Sequence, residues 1–331
     1  MRIAVVGLGA IGGLLAARLA RAGHEVSALA RGAVLAAIHA NGLRLRSADG
    51  GDAVVPVRAE GDARTLGPQD LVIVALKGPA LAGACAAIQP LLGAHTVVMP
   101  AMNGVPWWFL RAGTPALAAA VAQPPLASID PYNRIDAALP LPRVLGCVVH
   151  LTCSSPEPGV IQHGFGERLI VGEPAGGASQ RVADVCTALA QAGFTAEASA
   201  DVRADLWYKL WGNMTMNPVS ALTGALTDRI LDDPLVRDFI LLTMAEAAQI
   251  GARIGCPIAQ SGEARMAVTR ELGGFRTSML QDATAGRPLE LDALVGAVHE
   301  IGTRVGVAMP HIGALLGLTR LMAQGRGLYP R

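Results

Sequence analysis

Arg2 to Val6 is a short β-branched run that stops at a glycine, and the apolar spacing from Ile11 to Ala22, closed by Gly23, has the period of a helix. The pattern predicts strand, turn, helix. A second strand is predicted from Glu25 to Ala30, and buried-strand candidates follow at Asp70 to Leu76 and His95 to Pro100, with helix-like segments between them. Strands alternating with helices imply a parallel sheet covered on both faces. Val144 to Thr152 and Arg168 to Gly172 read as further strands that extend this sheet, joined by the turn-rich SSPEPG and HGFG. After Phe194 the strand signals stop. Ala/Leu-rich helical patterns run from about Asp201 to the end, interrupted at Pro218, Pro234, Pro257, Pro288 and Pro310. The expected fold class is therefore α/β: residues 1–200 form an N-terminal doubly wound parallel sheet, and residues 201–331 an all-helical C-terminal domain.

Composition narrows the class of partner. The chain has 331 residues, 52% of them hydrophobic and 16% charged, with a formal net charge of +1. Such a balance suits a compact soluble protein and leaves no basic excess for nucleic acid. The apolar start passes superficially for a signal peptide, but its glycines are regularly placed and it reaches Arg18 before the roughly 20 residues a spanning helix needs. No membrane segment and a cytoplasmic location are expected. Cys85, Cys147, Cys153, Cys186 and Cys256 are irregularly spaced without a CxxC pair, so neither disulfides nor a thiolate metal site is expected. His150, His163 and His299 are scattered and read as local hydrogen-bonding residues; no metal is called for.

Candidate chemistry begins at GLGAIG, Gly7 to Gly12, a GxGxxG placed after a strand and opening a helix. In that context Gly7 permits the tight turn, Gly9 lets the backbone approach a pyrophosphate, and Gly12 lets helix and strand pack closely. The backbone of Gly7, Leu8, Gly9, Ala10, Ile11 and Gly12 would then cradle the phosphates at a helix N-terminus. At the tip of the second strand an acid would hold a ribose hydroxyl, whereas a cation accepts a 2′-phosphate. The residue there is Arg31, which favours NADPH over NADH, although any surface turn can carry such a cation. Lys77 and Asn103 end later strand candidates on the same edge of the sheet. Lys77 faces either cofactor or solvent, and Asn103-Gly104 is either a ligand-binding amide or a plain Asn-Gly turn.

In ADLWYKLWGNMTMNP, Ala204 to Pro218, Lys209, Asn213 and Asn217 recur every fourth residue and drift only about 80° around a helix. One face thus carries a cation and two amides, while Trp207 and Trp211 share a different stripe and anchor the helix in the core. Asp205, four residues before Lys209, offers the alternative of an ordinary surface pair. Pro218 predicts a bend at Asn217. Further on, TSMLQD and GRPLELD supply Ser278, Gln281, Asp282 and Glu290, the last at the start of a helix.

Taken together, GLGAIG with Arg31, the Lys77 and Asn103-Gly104 positions, ADLWYKLWGNMTMNPVSAL, and TSMLQD followed by Glu290 resemble the ketopantoate reductases over nearly the whole chain. The resemblance implies a Rossmann domain followed by an all-helical domain. It also implies NADPH as cofactor, and reduction of a small-molecule 2-oxo acid to a 2-hydroxy acid in a cleft between the domains. Matched by position, it puts the catalytic lysine at Lys209 and its acidic partner at Glu290. Substrate-binding groups fall on Asn103, Asn213, Asn217 and Ser278, and cofactor contacts on Lys77 and Asn103. An ammonium there would stabilise the oxyanion and deliver a proton to it. Met102 departs from the polar residue common before that asparagine, and Trp107 and Trp108 either line an enlarged pocket or pack in the core. Ketopantoate is the substrate this implies; the alternatives are a paralogue acting on another 2-oxo acid, or a redox sensor that binds NADPH without turnover. A homodimer is the commonest assembly for such a chain.

Overall fold

A computed structural model describes residues 1–112 and 125–330. By contacts the chain divides into one unit of residues 1–102 and 133–205 and a second of residues 103–132 and 206–331. Residues 103–112 and 125–132 group with the helices of the second half, and the later boundary falls after Asp205.

The first unit is built on β1 (Arg2–Val6), β2 (Glu25–Leu29), β3 (Leu43–Arg46), β4 (Asp52–Val55), β5 (Arg58–Glu60), β6 (Gln69–Val74), β7 (Leu92–Pro100), β8 (Gly146–His150), β9 (Cys153–Glu157), β10 (Val160–His163), β11 (Arg168–Gly172) and β12 (Thr195–Ser199). Its main sheet has the order β5-β2-β1-β6-β7, with every neighbouring pair parallel. Both faces of β1 are covered, so Ile3 to Val6 are all buried and read as one apolar run instead of alternating. The chain proceeds from β1 outward to β2 and later returns to β6 on the other side. That reversal is where open α/β sheets bind ligands at the strands' carboxyl ends.

A second sheet, β12-β11-β8, continues the first through a single bridge from Val98 to Val144. The predicted extension is present as β8 and β11. β12, parallel to β11, lies where strand signals were expected to stop: TAEAS at a sheet edge has no β-branched run to announce it. A third sheet, β4-β3-β10-β9, was also unexpected. It packs on the first helix (Ala10–Arg21), where a methyl at Gly13 would meet Ile161 Cδ1 at 2.3 Å. Ile3, Leu14, Leu45, Ile161, Leu169 and Leu189 share one core.

The second unit centres on the helix Val202–Thr223, which begins in the first unit. Trp207 and Trp211 anchor it as expected, their indole N–H groups donating to Ala247 O and Met244 O at 3.3 and 2.8 Å. Trp108 is wholly buried, Trp107 nearly so, and Phe109 stacks on Trp207 with ring centroids 5.8 Å apart. The adjacent tryptophans are therefore core residues. The interruption expected at Pro218 does not occur. The helix runs through Pro218, and the proline's missing N–H costs a helical bond that packing of the buried Asn217, Pro218 and Val219 overrides. The other prolines do punctuate: Pro234 and Pro310 open the helices Pro234–Arg253 and Pro310–Gly325. All five cysteines are free thiols, and burial pushes that of Cys153 up to about 12. No helix among the described residues is long and apolar enough to cross a membrane.

Candidate active site

The glycine loop is dictated by space. Gly7 has φ +91°, and a Cβ there would lie 2.6 Å from Leu76 Cδ2 and 2.9 Å from Ala75 O. A Cβ on Gly12 would lie 2.0 Å from Gly7 O, so the helix can sit over the turn only if this residue is glycine. Gly9 is different: nothing lies within 4 Å of the Cβ it lacks. It caps the helix Ala10–Arg21 with no side-chain bond, and no acid occupies the first turn. The helix start therefore keeps orphan N–H groups and open space above them, which fits a pyrophosphate. Leu8 is buried beneath, and Ala10 and Ile11 are half-buried.

Arg31 is exposed just beyond β2 and precedes the helix Gly32–Asn41, while half-buried Lys77 precedes the helix Gly78–Ile88. Both stand past the carboxyl ends of strands, as a dinucleotide's phosphates and ribose require. These residues fit a nicotinamide dinucleotide, and the cationic tip fits one bearing a 2′-phosphate.

The second unit assembles the other candidates. Lys209, half-buried, donates from Nζ to Asn103 Oδ1 at 3.0 Å. Asp205, the alternative partner on the same helix, accepts instead from Ser199 Oγ at 2.5 Å. Two turns beyond Lys209, buried Asn217 donates from Nδ2 to Ser278 Oγ at 3.4 Å, with half-buried Asn213 on the turn between. Ser278 opens the helix Ser278–Thr284, capped by Thr277, whose Oγ1 accepts from Leu280 N. Asp282 pairs with the Arg287 guanidinium at 2.9 Å and Gln281 donates to Arg276 O at 3.1 Å, so both are tied to neighbours in their own segment.

Glu290 is half-buried and immediately precedes the helical run that starts at Leu291. Its carbonyl accepts from Leu294 N at 3.2 Å, and the run opens with a π-helical turn, Asp292–Gly296. Two residues are tied to that turn: Gly104, which the sequence marked only as part of an Asn-Gly turn, and Tyr329, which carried no signal. Gly104 has φ +82° and lies against Ala293, and Tyr329 donates its hydroxyl to Asp292 Oδ1 at 2.6 Å. Burial raises the Asp292 carboxyl above its ordinary range, the tyrosine bond pulling the other way. Burial and the facing carboxylate push the Tyr329 phenol up to about 12. Arg265 also escaped notice: its guanidinium covers Tyr208, 5.5 Å from the ring centroid, against the bare backbone of Gly212.

Chemically, the second unit offers a lysine amine held by an amide, two amides further along the same helix, a hydroxyl on the helix Ser278–Thr284, and an acid at a helix start. The first offers a phosphate cradle. Residues 3–176 match the family model described as ketopantoate reductase PanE/ApbA, and residues 201–323 match its C-terminal counterpart. A 2-dehydropantoate 2-reductase of Mesorhizobium japonicum is 42% identical, over 99% of this chain and 100% of that protein. A crystal structure of a candidate ketopantoate reductase from Ralstonia solanacearum MolK2 is 59% identical, with TM-score 0.94 and 99% of each chain covered. At 19% identity a D-mandelate dehydrogenase, solved with NADH and anilino(oxo)acetate, shares the fold alone, with TM-score 0.84 over 99% of this chain and 100% of that one. With two family models spanning both units and a full-length relative at 42% identity, the chain belongs to the ketopantoate reductase PanE/ApbA family.

Proposed function

We propose that this protein is a cytoplasmic reductase that uses NADPH to convert a 2-oxo acid to a 2-hydroxy acid, with 2-dehydropantoate reduced to pantoate for pantothenate and coenzyme A synthesis. The observation that carries the reading is the 3.0 Å bond from Lys209 Nζ to Asn103 Oδ1, in a chain whose other unit holds an uncapped, glycine-lined helix start. Bound NADPH supplies the hydride that reaches the substrate's carbonyl carbon. Lys209 is the catalytic residue: its ammonium stabilises the charge that builds on the carbonyl oxygen and delivers the proton to it. Asn103 fixes the direction of that ammonium by accepting from it. Glu290 holds the ammonium from the other side and bonds to the hydroxyl of the product. Ser278 binds the substrate carboxylate, while Asn213 and Asn217 orient the remaining polar groups.

Gly7 to Gly12 hold the pyrophosphate, Arg31 binds the 2′-phosphate, and Lys77 lies on the cofactor side. The D-mandelate dehydrogenase of the same fold carries NADH, so the fold itself does not choose the cofactor, and the choice here is assigned to Arg31. Burial of Trp107 and Trp108 in the core removes the main support for an enlarged pocket and favours the small branched substrate.

The test is stopped-flow oxidation of NADPH against a panel of 2-oxo acids that includes 2-dehydropantoate, with the wild-type protein and Lys209→Ala. Wild type is expected to turn over 2-dehydropantoate fastest, and Lys209→Ala to lose about 10² to 10⁴-fold in kcat with NADPH binding nearly intact. Binding without oxidation of NADPH by any member of the panel would overturn the reading in favour of a sensor.

A further inference from the structure

We propose that the π-helical turn Asp292–Gly296 is a positioning frame that holds Asn103 and Glu290 in register with each other, fastened at Gly104 on one side and Tyr329 on the other. The proposal rests on the functional reading above, in which both of those residues serve Lys209.

A π turn inserts an extra residue into a helix and redirects its backbone bonds, which is why such turns concentrate where a helix must present something other than its own continuity. Here Ala297 N bonds to Asp292 O, five residues back, so the donor that an α-helix would aim at Ala293 O is engaged elsewhere. Val105 N takes that carbonyl at 2.8 Å. The approach is possible only because the residue before Val105 is a glycine. Gly104 has φ +82°, and a Cβ on it would lie 2.5 Å from Ala293 O and 2.6 Å from Ala293 Cβ. Asn103 precedes this contact directly, and its Oδ1 is the acceptor of the Lys209 bond. The loop is thus pinned to the frame one residue from the amide.

Glu290 is pinned by the same element from the C-terminal side. Leu289 N, one residue before it, donates to Leu328 O at 3.0 Å. Asp292, two residues after it, accepts from the Tyr329 hydroxyl at 2.6 Å. Leu289, Leu291 and Leu328 are all buried, so the strand of contacts is held from below by packing. Gly104 and Tyr329 are therefore positioning residues: they act through the π turn upon Asn103 and Glu290, and neither is assigned a contact with substrate.

Two double-mutant cycles on the full-length protein test the frame, with melting temperature and NADPH binding followed throughout. Gly104→Ala is expected to lower kcat by about 30-fold or more in the wild-type background but by less than about 3-fold once Asn103 is alanine. Tyr329→Phe, which removes one hydroxyl, is expected to lower kcat by about 5-fold alone and by less than about 2-fold in the Glu290→Gln background. NADPH affinity should stay within about 2-fold in Tyr329→Phe, whose effect runs through Glu290, a residue assigned no contact with the cofactor. If Gly104→Ala does not fold, the Tyr329→Phe cycle decides. Losses that simply add in the cycles overturn the frame while leaving the functional reading intact. If Asn103→Ala and Glu290→Gln alone leave kcat unchanged, the functional reading fails and the frame with it.

Discussion

The glycine loop and the face around Lys209 are both candidate binding surfaces, yet they are made in opposite ways. At the loop, the requirement is a backbone path, and residue type records it directly: Gly7 and Gly12 each stand where a methyl would strike a neighbouring carbonyl. The face around Lys209 instead draws on residues 103–105, the helix Val202–Thr223, Ser278, the π turn and the C-terminal Leu328 and Tyr329. Apart from Gly104, whose positive φ and close approach to Ala293 O leave the same steric mark as the loop glycines, these are ordinary residues for their places. The contrast teaches that steric exclusion leaves a mark in a sequence, whereas a set of common polar side chains gathered from distant segments leaves almost none.

The sharpest way to break the comparison is to add one methyl group to the loop at each of two glycines. Gly12→Ala forces a shift of helix against turn and is expected to cost more than about 100-fold in NADPH affinity, with a melting temperature lower by several degrees. Gly9→Ala meets open space, so its melting temperature should stay within about 2 °C of wild type while NADPH affinity falls about 10-fold, the methyl competing with the phosphate. Equal melting temperatures for the two variants, measured by calorimetry, would mean that the loop is not sterically determined.

A smaller effect is expected at Arg31. Arg31→Ala should weaken NADPH by roughly 1.5 to 3 kcal/mol, about 10 to 150-fold, with little change for NADH, read by fluorescence titration of both cofactors. A parallel loss for both would remove Arg31 from the 2′-phosphate.

The smallest effect concerns the segment that the second unit borrows. Glu300 accepts from Ala127 N, Ser128 N, Ser128 Oγ and Arg304. Burial alone would raise its carboxyl, but these bonds outweigh it and hold the carboxyl below its ordinary range. A depressed folded-state value means stability that is present above the unfolded pKa of about 4.3 and lost as pH falls through the folded value. Glu300→Gln should therefore cost about 1 to 2 kcal/mol near neutrality in denaturant unfolding, and the gap should close below about pH 4.

How much was legible follows the same division. β1, β2, β6, β7 and the helix after the glycines could be read because buried parallel strands are continuous apolar runs, and the sheet order places their carboxyl ends where a dinucleotide is expected. β12 escaped because TAEAS is a short edge strand, and the β4-β3-β10-β9 sheet escaped because LRLR, although interior and alternating, has only four residues and one of its two neighbours, β10, lies far along the chain. Pro218 misled for the converse reason: a local preference for breaking the helix is real but small beside the burial of the residues around it. On the Lys209 face, periodicity could place Lys209, Asn213 and Asn217 on one side, and family resemblance could add Asn103 and Glu290. No spacing in the sequence joins Gly104 to Ala293 or Tyr329 to Asp292, since those pairings exist only once the chain has folded.

The stacking of Phe109 on Trp207 has a practical corollary. A fragment truncated at residue 200 would retain Trp107, Trp108 and Phe109 while losing the Trp207 ring on which Phe109 lies. Such a fragment would display a greasy, indole-rich scar to water and tend to precipitate. Anyone wishing to isolate the dinucleotide cradle for crystallisation or screening would do better to end the chain after Asp205 and also splice out residues 103–132 than to truncate from one side alone.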